Sequence, residues 1–171
     1  MKRLAAILLM GIALAGIASA DDLPHVLAEG RRLTFGWHGG APHRVDISNL
    51  VRAASLDTAQ VLAAQRTGEV DYFLVSVSGP SRIGAPEGSN MSGTESNLIW
   101  LKLKAWKLLD SQSMLYQSSW ESLVLVGDYH LKGGVLTLRF VNKRESTNYV
   151  LRYDSAHPDG KIAIERAGDV E

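Results

Sequence analysis

The chain contains no cysteine. Disulfides, thiolate zinc centres, C-x-x-C haem attachment and a lipid-modified cysteine are all closed to it, so its stability has to come from packing. A surplus of one charge is missing as well: 18 Lys and Arg stand against 18 Asp and Glu, with no block of like charge. Nucleic acid binding needs concentrated cations against phosphate, so that class of partner is not expected. Past residue 20 no apolar run approaches the ~20 residues that a membrane helix requires. Also missing are an internal repeat and a complete catalytic signature.

The first 20 residues supply the strongest positive signal. Lys2 and Arg3 are followed by an apolar stretch over 4–17, and Ala18, Ser19 and Ala20 are the small residues that a signal peptidase needs. The expectation is an exported protein cleaved after Ala20, periplasmic or secreted and free of the membrane once the leader is gone. About 151 residues would remain, enough for one domain over 21–171, with a net charge of about −2 once Lys2 and Arg3 are lost.

Most of the remaining text reads as strand. Residues 70–78 are dense in β-branched and aromatic side chains up to Gly79-Pro80, and 135–141 alternate strictly behind Gly133-Gly134. In 97–104, Ile99, Leu101 and Leu103 share one face, while Trp100, Lys102 and Lys104 share the other, which is read as the wet one. Strands are also expected at 32–38, 44–51, 106–113, 114–126, 148–153 and 161–166, the last two joined by a turn at Pro158-Asp159-Gly160. Residues 57–66 admit two readings: a hairpin strand, which is preferred, or a short helix capped by Asp57. The fold class is therefore all-β or β-dominated, an antiparallel sandwich or open barrel of about eight strands. It carries at most that one short helix besides the N-terminal signal helix.

Residues 78–97 interrupt the pattern with Ser, Gly and Pro. Long loops inside compact domains usually carry function or are mobile, so the 81–96 loop is the expected working surface. Arg82, Glu87 and Glu95 would supply its polar contacts and Met91 its apolar tip, with Trp100 as a neighbouring aromatic for which packing is preferred and binding is the alternative. The tests for chemistry end elsewhere. His38-Gly39-Gly40 suggests an oxyanion loop but lacks a nucleophile elbow, and His38, His43 and Asp46 match no defined metal spacing. Carboxylate pairs drawn from Glu95, Asp110, Glu121 and Asp128 need a separation that sequence does not give. No cofactor, metal or catalytic residue is expected.

Over Gly93-Thr94-Glu95-Ser96-Asn97-Leu98, then Trp106-Lys107 and Leu109-Asp110-Ser111-Gln112-Ser113, the text resembles small exported bacterial β-rich proteins of unknown function, in which a Gly-x-Glu loop precedes a β-hairpin. The resemblance implies cysteines at the positions of Ser92 and Ser119, a cross-link missing here, and no activity. The function expected is a soluble binding protein engaging a protein partner of the cell envelope, inhibitor- or immunity-like, through 81–96. A polysaccharide or small-ligand module is the first alternative, and a small hydrolase with a carboxylate pair the second.

Overall fold

A computed structural model describes residues 23–36, 40–81 and 93–169. The leader, Ala20, Trp37, His38, Arg82, Glu87 and Met91 lie outside the described residues. Those described form twelve strands: β1 His25–Glu29, β2 Arg32–Gly36, β3 His43–Asp46, β4 Thr58–Thr67, β5 Val70–Pro80, β6 Thr94–Lys104, β7 Lys107–Ser118, β8 Leu123–Leu125, β9 His130–Lys132, β10 Val135–Asn142, β11 Thr147–Asp154 and β12 Ala163–Asp169. Their only other regular element is a 3-10 turn, Pro158–Gly160.

Strands β1 to β3 make an antiparallel sheet of their own. The rest form an open nine-stranded sheet in the order β12-β11-β10-β8-β7-β6-β5-β4, with β9 beside β10. The chain is thus β-dominated, as its alternating runs dictate, and residues 58–67 take the hairpin option against β5. About eight strands becomes twelve because short strands such as β1 and β9 show no alternation, while 106–113 and 114–126 are redivided into one long β7 and the short β8. The strand expected over 44–51 stops at Asp46, whose Oδ1 accepts the Ser48 amide at 2.8 Å and starts a turn.

Two cores follow from the pleat. On one face of β4–β6, Phe73, Val75, Val77, Ile99, Leu101 and Leu103 meet Leu33, Phe35, Val45 and Ile47 of the small sheet. The opposite face is wet over only part of its length: Leu74, Leu98 and Trp100 pack with Leu136, Leu138, Phe140, Leu151 and Tyr153. Strands far apart in the order of one sheet share that second core, so the nine-stranded sheet curls over itself. Bulges aid the curl, with an extra residue at Leu62 in β4 and at Tyr116 in β7.

The 3-10 turn closes the second core. Trp100 Nε1 donates to Pro158 O at 2.8 Å, and Lys102 and Tyr72 hold the Asp159 carboxylate at 2.6 and 3.1 Å. Gln112 imitates a neighbouring strand, donating to Ile162 O at 3.0 Å and accepting Ile162 N at 2.7 Å. This clasp sits 57 to 87 residues from Tyr72, Trp100 and Lys102 along the chain.

Candidate functional site

Strands β5 and β6 are paired residue for residue from Val70↔Lys104 to Pro80↔Thr94. They therefore carry both ends of 82–92 on the longest hairpin of the molecule. Beyond Pro80 the root is still tied: Ser81 N donates to Gly93 O at 2.7 Å, and Ser81 bridges Ala53. The approach is so tight at Gly79 that a Cβ there would lie 1.9 Å from the Ser55 carbonyl oxygen. Glycine is required at that point by the neighbouring backbone.

Glu95 is the centre of this root. Its Oε1 accepts from Ser81 Oγ at 2.8 Å and from Ser118 Oγ at 2.9 Å, joining the ends of β5 and β7 through β6. Ser118 Oγ in turn accepts the Glu121 amide at 3.0 Å, and the Glu121 carboxylate is held by Arg52 at 2.6 Å. A single hydrogen-bonded path thus runs through 52, 121, 118, 95 and 81. Glu95 Oε2 is buried and has no hydrogen-bond partner among the described residues, and the same holds for Asn97 Oδ1 two residues on.

Two of the candidate contact residues lie inside the fold, Glu95 against expectation and Trp100 in line with the preferred packing. Glu95 is only 4% exposed and turns inward, so it secures the root of the loop and offers no surface contact. Trp100 is fully buried, because the curled sheet places β10 and β11 over the face that alternation marks as outer. Arg82, Glu87 and Met91 belong to 82–92 and lie outside the described residues.

The aromatic that does stand at the root is Trp120, 49% exposed. It follows Ser119, whose Cβ lies 2.8 Å from where a Cβ on Gly93 would be, so Trp120 borders the loop exit. Sequence reasoning weighed Trp120 with the other tryptophans, most of them expected in the core, and did not single it out, because no alternating run surrounds it. The available signal was its place after the serine-rich end of β7, beside Glu121. Ser119 is also one of the two positions implied to carry cysteine by the resemblance, and it meets the residue next to Ser92.

The other constellations disperse. His43 faces inward and stacks on Trp106 with centroids 4.2 Å apart, whereas Asp46, an odd number of residues on, faces outward toward Arg32. No cluster of three metal-ligating side chains occurs among the described residues. Asp110 is paired with Lys161 at 2.8 Å at the clasp, while Glu121 is paired with Arg52 at the loop root. Lys161 holds the Asp110 carboxyl below its usual range, and Lys102 does the same for Asp159. Both groups are spoken for by cations. No helix among the described residues is long and apolar enough to cross a membrane. Comparison of the chain with protein-family models, with curated proteins and with solved structures finds no match.

Proposed function

We propose that the protein is an exported, non-catalytic binding module that engages a protein partner of the cell envelope through the 82–92 segment and Trp120 beside it. One observation carries this reading. The Ser81–Glu95–Ser118 node and the Gly79 backbone contact clamp both ends of the segment onto the longest hairpin, next to a large exposed aromatic. A rigid scaffold that fixes both ends of a binding segment lowers the entropy lost on docking. Tryptophan at such a rim is the residue type that most often dominates an interface.

The test is chemical cross-linking in intact cells followed by affinity measurement on the captured partner. Trp120→Ala should weaken that complex by about thirtyfold, in line with a hot-spot truncation near 2 kcal/mol. Shortening 83–91 should abolish it. Equal capture of partners by the intact, shortened and Trp120→Ala proteins would end the proposal.

A further inference from the structure

The face of the nine-stranded sheet that carries the second core changes character halfway along its strands. Toward the clasp it presents Tyr72, Leu74, Leu98 and Trp100. Toward the other end the same face presents Gln60, Ser76, Ser78, Ser96 and Gln117, at positions where apolar side chains would each add about 1.5–3 kcal/mol of burial. Gln60 is exposed, and Ser76, Ser78 and Gln117 are half-buried.

These groups are paired in a particular way. Ser76 Oγ and Tyr116 OH are 2.9 Å apart, as are Ser78 Oγ and Ser96 Oγ, and in each pair either hydroxyl can be the donor. Ser96 Oγ also reaches Gln117 Oε1 at 3.4 Å. The bulge at Tyr116 brings both Tyr116 and Gln117 to this side of β7, which is how bulges re-aim side chains next to sites. From the opposite wall Tyr129 crosses to Gln60, donating its hydroxyl at 2.8 Å. None of these side chains carries a charge. Elsewhere the exposed faces are charged: Arg44 and Asp46 on β3, Arg66 on β4, Arg152 on β11 and Glu165 on β12.

From this chemistry we infer a binding groove for a neutral carbohydrate chain on the face shared by Gln60, Ser78 and Gln117, with the buried Ser96 behind them and Tyr129 at the rim. A sugar presents hydroxyls that both donate and accept, and reversible serine and tyrosine hydroxyls meet them in either sense. The tyrosine ring supplies an apolar face for stacking. A charged ligand would find no counter-ion among these side chains, and an apolar one would make no use of their hydroxyls and amides. Glu95 and Ser118 lie on the other face of the same sheet, so this groove is separate from the loop root.

Isothermal titration of the full processed chain tests the inference. The probes are tetrasaccharides of β-1,4-linked glucose, β-1,4-linked N-acetylglucosamine and α-1,4-linked glucose, with tetragalacturonate as the charged control. At least one neutral probe should saturate with little dependence on salt, and the charged one should not. Gln60→Ala and Ser78→Val should each weaken that binding by about tenfold, the loss of one or two hydrogen bonds. Leu27→Ser on the small sheet should leave it unchanged. Gln60 is a surface residue, so its variant remains folded and informative. Absence of saturation by every neutral probe at millimolar concentration, or binding indifferent to Gln60→Ala and Ser78→Val, overturns the inference. So does binding of tetragalacturonate alone. A protein partner that still binds while all sugars fail would overturn the groove and leave the loop proposal standing.

Discussion

At the scale of single residues, two positions have consequences out of proportion to their size. Gly79 admits no Cβ because the Ser55 carbonyl oxygen already occupies that space. Gly79→Ala must displace backbone, and its urea midpoint should fall by the equivalent of about 1–3 kcal/mol, the usual effect of overpacking. Glu95 accepts two serine hydroxyls at the root. Glu95→Ala leaves the buried Ser118 hydroxyl and the half-buried Ser81 hydroxyl without this acceptor, and chemical denaturation should show a loss of about 1–3 kcal/mol. Neither role is written in the local text: Gly79 reads as a strand terminator and Glu95 as a loop carboxylate. Each owes its role to a segment that sequence analysis cannot bring alongside, Ser55 in the first case and Ser118 in the second. Trp100 is the converse. Its alternation with Ile99 and Leu101 was plain, but which of the two faces met water depended on a curl produced by residues 136–162.

At the scale of elements, the hairpins show how far turn chemistry is legible. Gly133 and Gly134 both take left-handed backbone between β9 and β10, as a two-residue hairpin turn demands. Their appearance in the text was enough to place β10. The β6–β7 turn uses the same geometry without glycine: Ala105 has φ 47° and Trp106 φ 64°. Left-handed backbone costs an L-residue about 1–2 kcal/mol, and no propensity rule would choose these two for the turn. Packing outweighs that cost, because the Trp106 ring stacks on His43 and Phe73. Ala105 is exposed and should be improved by relief of strain: Ala105→Gly is expected to raise the thermal midpoint by the equivalent of about 1 kcal/mol. The bulges in β4 and β7 are the elements least visible in advance, since one extra residue shifts the alternation by a single step and reads as noise.

At the scale of the whole molecule, the clasp between the 3-10 turn and β5–β7 governs how stability responds to pH. Asp159 and Asp110 have lowered pKa values, first through hydrogen bonds from Lys102 and Lys161 respectively. A depressed carboxylate contributes in full above its ordinary value of ~3.9 and loses its contribution as pH falls through the lowered one. Urea midpoints should therefore decline below about pH 4, and Asp159→Asn should flatten part of that decline. The alkaline limb has the opposite origin. Burial, first among its causes, pushes the Tyr153 phenol up to about 12, so its share of stability is intact below ~10 and fades between there and 12. Absorbance titration near 295 nm should find one phenol that ionises only as the fold opens.

The same clasp imposes an order of events on a newly made chain. Trp100 emerges from the ribosome long before Pro158, its hydrogen-bond partner, and Gln112 long before Ile162. Until synthesis passes residue 162, the broad greasy side of the central hairpin can rest on Leu136, Leu138, Phe140, Leu151 and Tyr153 but lacks the turn that ties Trp100, Lys102 and Gln112 down. A nascent polypeptide with so late a keystone stays open and slow to settle. Truncation just before residue 158 should accordingly yield a sticky, holdase-dependent product rather than a smaller version of the native one.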